Sequence, residues 1–364
     1  MIRLLRALID SAALRHNLGT IRAYAPGSKV MAVIKANAYG HGLVATALAL
    51  GDADAFAVAR LEEGIALRAA GVRAPIVLLE GIFNAEQLAE AAHHHFELVV
   101  HDPLQIKLLE AHRDARRFVV WIKMDTGMNR LGFRPEAFAP ALARLRALTV
   151  PALELRVMTH LARADERSEP MTLEQIGRFE AALAGCGLAG AQRLATSIGN
   201  SAGTLSHPRA HGDWVRPGLA LYGVSPFADA TAADHGLKPV MTLETTVLTV
   251  REVKRGETVG YAGAWRAERD SAIAILAAGY GDGLPRHLAN GTPVLIAGSR
   301  YPLVGRVSMD MIAVDVTGAL KVTAGSKAIV WGEGLPVEEV AAHAETIPYE
   351  LLCGVSQRVP LELK

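Results

Sequence analysis

The stretch VMAVIKANAYGHG, Val30 to Gly42, runs five apolar residues straight into a lysine and then into small residues. A buried strand that ends on Lys35 presents an ammonium group where water is scarce. Desolvation disfavours the charged form, and a neutral lysine amine attacks carbonyls to give a Schiff base. The glycines of AYGHG allow a tight turn and the close approach of a ligand. For an arbitrary lysine at a strand end, an ion pair is the more common role. A second stretch, SIGNSAGTL, opens a helical turn on Asn200 and Ser201, whose free N–H groups suit an anion such as phosphate. RPGLALYG adds Gly218 for backbone contact. Ordinary capping by Asn200 or Ser201 explains the same pair and is the simpler account of it alone.

These groups need elements to bring them together. From about residue 30 to 223 one rhythm repeats, a short apolar run followed by an amphipathic helical stretch such as RLEEGIALRAAG or TLEQIGRFEAALAG. The runs fall at 30–34, 55–58, 75–80, 97–100, 118–124, 153–158, 192–195 and 217–223. Buried strands alternating with helices predict a parallel sheet. Eight units predict a (β/α)8 barrel, with a doubly wound open sheet as the rival. After residue 236 apolar and polar residues alternate between glycines, which predicts a mostly antiparallel β domain. The expected division is 1–235 and 236–364, with residues 1–9 as a strand able to join the second domain.

Barrel chemistry gathers where strands end and loops begin. Those positions hold Lys35, Arg60, Lys123 with Asp125, His160, Asn200 with Ser201, Arg216 and Gly218. A Schiff-base lysine and a phosphate cradle across one mouth together point to pyridoxal phosphate, which supplies an electron sink while the protein orients and moves protons.

Composition excludes several classes. The chain of 364 residues is 51% hydrophobic and 21% charged, with a formal net charge of +1. That is a globular composition with no global field for nucleic acid or anionic lipid. No apolar run is long enough to span a membrane. MIRLLRALIDSAALRHNL has neither a long apolar core nor a small-residue cleavage site, so it reads as strand and helix, not as a signal peptide. Two cysteines, Cys186 and Cys353, make no disulfide framework and fit a reducing cytoplasm. The histidines at 93–95 have no ligand-spaced carboxylate or cysteine, so no metal is expected.

VIKANAYGHG closely resembles the cofactor-lysine motif of the bacterial alanine racemases. WIKMDTGMNRLGF, MTHLARADE, NSAG, DWVRPGLALYG, VGYAGAW, GYGDGLPR, GRVSMDM and IPYELLC match the same family in order along essentially the whole chain. The resemblance implies a barrel plus a β domain and interconversion of L- and D-alanine, either for the cell wall or in catabolism. It implies that Lys35 holds pyridoxal phosphate as an aldimine, and that Lys35 and Tyr261 act as acid and base on opposite faces of the substrate. Arg130 would meet the substrate carboxylate, and Arg216 the pyridine nitrogen, supported by His160. Tyr39, Ser201, the backbone of Gly218 and Leu219, and Tyr349 would hold the phosphate, beside Asn200. Lys123 would be carbamylated and hold Arg130. A head-to-tail homodimer would share its sites, so that Tyr261, Tyr280, Met309 and Asp310 act in trans. Without the resemblance, Tyr261 would read as a packing residue in a turn. One departure is Ser197, where many relatives carry a histidine. A racemase of another small amino acid, a pyridoxal-phosphate decarboxylase and a non-catalytic cofactor carrier are the rivals. Arg216 speaks against the decarboxylase, and the β domain with Tyr261 against the carrier.

Overall fold

The computed structural model describes residues 4–112, 118–148, 154–188 and 193–364. Met1–Arg3 of the expected first strand, and Leu153 and Gln192 of two expected barrel strands, lie outside the described residues. The first strand, β1 (Leu5–Ile9), stands apart from the barrel. Eight parallel strands follow and close on themselves in chain order: β2 (Lys29–Val33), β3 (Ala55–Val58), β4 (Ile76–Leu78), β5 (Glu97–Val100), β6 (Val119–Lys123), β7 (Glu154–Met158), β8 (Ala195–Ser197) and β9 (Trp214–Val215). Closure rests on the pairing of Lys29 with Trp214 and Val30 with Val215. That pairing excludes the open doubly wound sheet.

The strands are apolar on both faces because helices cover the outside and side chains fill the inside. Every residue of AFAV in β3 is buried. Phe56 and Trp121 are among the largest fully buried side chains, and each such burial contributes roughly 1.5–3 kcal/mol. The last two runs are placed differently from the sequence expectation. β8 lies at Ala195–Ser197 rather than 192–195. PGLALYG is not the eighth strand; Trp214–Val215 is, and Leu219–Tyr222 forms a short 3-10 turn closed by Gly223 at φ 72°. The run is apolar because it is buried, but Pro217 and Gly218 turn it away from the sheet.

The N-terminal end of the barrel is plugged by an ion pair. The Arg156 guanidinium packs beside the edge-to-face pair Trp121 and Trp214, 5.2 and 5.3 Å from their ring centroids. It pairs with buried Glu97 at 3.2 Å, whose carboxylate also accepts from Trp121 Nε1 at 2.7 Å. Burial pushes the Glu97 pKa up, against the pull of Arg156.

The rest of the chain is mostly antiparallel: β10 (Met241–Val253), β11 (Thr258–Val259), β12 (Trp265–Arg266), β13 (Ser271–Leu276), β14 (Pro293–Ile296), β15 (Ser299–Val304), β16 (Ile312–Asp315), β17 (Lys327–Trp331) and β18 (Leu361–Leu363). Long β10 is the hub and pairs with β13, β17 and β1. Pairings run full circle through β10, β13, β16, β15, β14 and β17. β1 lies between β10 and β18, so a strand from before the barrel is built into the sheet that follows it. Among the described residues no helix is long and apolar enough to cross a membrane.

Candidate active site

Lys35 leaves the end of β2 into a turn of unexpected hand. Ala36, Asn37, Ala38 and Tyr39 all have positive φ, between 52° and 55°. Left-handed backbone costs a non-glycine residue about 1–2 kcal/mol, so four in a row need external support. Asn37 Oδ1 accepts from Leu43 N at 2.9 Å. His41 donates through Nδ1 to the carbonyls of Ala38 and Tyr39, at 3.0 and 2.9 Å. Its ring stacks on Tyr222, whose own ring lies 4.9 Å from that of Tyr39. The tight turn expected from glycines is therefore made chiefly by alanine, asparagine and tyrosine. Gly40 still has a reason, because a Cβ there would collide with the carbonyl of Leu352.

Cations crowd the mouth. Lys35 is partly buried, and its pKa is lowered by desolvation and then by Arg130. Burial, then Arg216, Arg130 and Lys35, bring Lys123 down to about 8. Arg216 is 5% exposed, and burial lowers its pKa to about 10, which still leaves it charged at neutral pH. Its Nη1 donates to Ser197 Oγ at 2.6 Å, and its Nη2 to Thr159 O at 2.5 Å and to His160 Nδ1 at 3.3 Å. Burial, then Arg216, hold the His160 pKa well below its ordinary value, so its ring is a neutral acceptor. Ser197 is too small to stack on a ring, but its hydroxyl donates to Trp214 O and accepts from Arg216. Arg130 follows a loop shaped by Asp125, whose Oδ1 accepts from Gly127 N and Asn129 N at 3.0 Å each. A cavity of about 500 Å³ opens beside Arg130, between Phe83, His101, Leu104 and Arg134.

Beyond the neighbouring strands β8 and β9 lies a place for an anion. Asn200 caps the helix Ser201–Ser206 through Gly203 N at 2.9 Å, the simpler of its two expected roles. Ser201 Oγ instead meets the backbone N–H groups of Gly218 (3.0 Å) and Ala220 (3.2 Å), which flank Leu219. A Cβ on Gly218 would collide with Tyr39 Oη, so only glycine lets that phenol into the cradle. Burial raises the Tyr39 pKa and brings Tyr349 up to about 12; both phenols remain donors. Their rings lie 5.7 Å apart. Hydroxyl, phenols, N–H groups and the amine of Lys35 fit a small molecule that carries both a phosphate and a carbonyl.

Arg60 is exposed at the start of the helix Leu61–Ala69. Tyr261, Tyr280, Met309 and Asp310 lie in loops of the β domain. Gly281 N donates to Met309 O, and Tyr280 N to Ser308 O, which binds their two loops together. Tyr261 is 64% exposed and is not among the groups that act on Lys35. Three residues around Lys35, Glu80, Glu63 and Cys353, escaped the sequence reading. Glu63 looked like any acid in a first helical turn, and Cys353 like a spare thiol.

Barrel, β domain and cationic mouth define a two-domain barrel protein whose mouth fits a phosphate-bearing carbonyl compound. Comparison with known proteins makes the assignment specific. The alanine racemase N-terminal domain matches residues 9–226, and the alanine racemase C-terminal domain matches residues 240–363. The alanine racemase of Nitrosococcus oceani is 52% identical over 355 residues, 98% of each chain. That of Aeromonas hydrophila is 49% identical over 359 residues, again 98% of each. The crystal structure of the biosynthetic alanine racemase from Pseudomonas aeruginosa superposes with a TM-score of 0.94 at 44% identity, covering 100% of both chains. The chain belongs to the alanine racemase family.

Proposed function

We propose that the enzyme interconverts L- and D-alanine with pyridoxal phosphate held by Lys35, as a cytoplasmic homodimer with shared sites. The observation that carries this reading is Lys35 at the end of β2, next to the strand β9 that leads into the cradle of Tyr39, Ser201 and Gly218. Pyridoxal phosphate, when bound, supplies the electron sink that makes the substrate Cα–H acidic. Tyr39, Ser201, Tyr349 and the backbone of Gly218 and Leu219 would hold its phosphate, beside the Asn200 cap. Arg216 would face the ring nitrogen. A guanidinium does not readily give up a proton, so that nitrogen stays unprotonated, and decarboxylation and transamination are suppressed. Ser197, Thr159 and His160 keep Arg216 aimed.

Racemisation removes a proton from one face of Cα and returns one to the other. Lys35 Nζ, with its lowered pKa, serves one face. The partner subunit's Tyr261 serves the other, and its exposure supports a role outside its own chain. Tyr280, Met309 and Asp310 would line the same shared mouth. Arg130 holds the substrate carboxylate. Lys123 is suited to carbamylation, because an amine with a pKa near 8 is partly neutral and able to add carbon dioxide. The resulting anion would pair with Arg130.

The deciding experiment incubates the loaded enzyme with L-alanine in D2O and reads products by chiral chromatography and mass. Deuterated D-alanine is expected. Deuterium exchange with another amino acid but not with alanine would move the substrate. No exchange at any Cα would overturn the reading.

A further inference from the structure

The turn that carries Lys35 is tied to the next barrel loop by one carboxylate. Glu63 lies in the first turn of the helix Leu61–Ala69, just after β3. Its Oε2 accepts from the backbone N–H groups of Ala59 at 2.9 Å and Arg60 at 3.1 Å. That is the ordinary duty of an acid near a helix start. Its Oε1 makes a contact that the helix does not need. It accepts from Ala36 N at 2.7 Å, the shortest of the three bonds. Ala36 follows Lys35 directly and is the first of the four left-handed residues.

That backbone needs a hold at each end, because every one of its residues gains by relaxing to the right-handed or extended basin. At the exit, a neutral group provides it: His41 on two carbonyls. At the entry, Glu63 is the side chain that grips the turn from another element. A bond from a charged acceptor is the stronger kind.

We propose that Glu63 is a positioning residue for Lys35, fixing through Ala36 N–H the direction in which the lysine side chain leaves β2. The inference rests on the reading of Lys35 as the amine that holds the cofactor. Glu63 also acts on Lys35 as a nearby negative charge, so the test separates charge from reach. Glu63→Asp keeps the charge and the helix-start role, but is one methylene too short to reach Ala36. Glu63→Gln loses the charge and keeps one accepting oxygen, which reaches Ala36 only when its NH2 group is turned toward the N–H groups of Ala59 and Arg60.

Three quantities are read on the holoenzyme: hydrogen exchange of the peptide spanning Lys35–Gly42, the rate of pyridoxal phosphate release, and kcat with KM. In Glu63→Asp, exchange in that peptide rises about tenfold, release quickens, and kcat falls about tenfold while KM and the unfolding midpoint hold. Glu63→Gln falls between the parent and Glu63→Asp, because one accepting oxygen replaces two. Parent-like exchange in Glu63→Asp overturns the proposal, and so does faster exchange with unchanged release and kcat. Should Glu63→Asp not fold, Glu63→Ala, which also removes the reach to Ala36, decides on the same readouts, with parent-like exchange again overturning the proposal. Borohydride reduction of the parent tests the underlying reading separately: a pyridoxyl group on any residue but Lys35 sinks that reading, while the exchange result stands.

Discussion

Lys123 sits half-buried among Lys35, Arg130 and Arg216, and its pKa of about 8 records what that neighbourhood costs. The sign of its effect on stability follows. Below pH 8 the ammonium is present in both folded and unfolded chains, and the folded one bears first its desolvation and then the repulsion. Between pH 8 and the ordinary 10.5 the unfolded chain holds more protons, so stability rises with pH. Lys123→Met keeps the apolar stem without the charge. In buffer free of carbon dioxide it is expected to be more stable than the parent by roughly 2 kcal/mol at pH 7, with the gap closing toward pH 10 in urea titrations. Bicarbonate should stabilise the parent and leave the variant unchanged, because a carbamate turns the repulsion into pairing. The position of Lys35 at a strand end was legible because an apolar run that ends in lysine is conspicuous. The left-handed turn behind it was not, since neither alanine nor tyrosine advertises positive φ. Glu63 was hidden for another reason: its second bond depends on which loop the barrel places beside it.

At the scale of elements, the barrel was readable because strands covered on both faces must be apolar throughout. Its last strand was misplaced where burial and strand diverge, at PGLALYG, which is apolar but turns. The helices of the β domain, Val337–His343 and Pro348–Gly354, were not foreseen. The second of them brings Tyr349 to the mouth. The barrel's other end supplies a prediction independent of catalysis. Arg156→Met leaves the Glu97 carboxylate buried with only Trp121 as a described hydrogen-bond partner. Breaking a buried pair from one side costs about 3–5 kcal/mol. Urea denaturation should show that loss. Adding Glu97→Gln should recover much of it, and kcat should stay close to the parent's because the change lies at the end away from the mouth.

At the scale of the whole molecule, the proposed shared site has an arithmetic. Lys35→Ala and Tyr261→Phe chains are each nearly inactive alone. A twofold dimer formed from one of each would contain one site with both defects and one with neither. Random mixing therefore restores about a quarter of parental activity, provided the subunits are unfolded and refolded together. No restoration would place both groups in one chain and overturn the sharing. The position of β1 bears on how such a molecule is made. Leu5–Ile9 pairs with Met241–Thr245 on one side and Leu361–Leu363 on the other. On the ribosome this strand emerges early, and its partner in β10 is polymerised about 230 residues later. At ~5–20 residues per second that is a wait on the order of 10–50 seconds. The entire barrel can form in that interval while an apolar strand stays without its sheet, so the nascent chain is most open to chaperone capture or misassembly just before β10 appears.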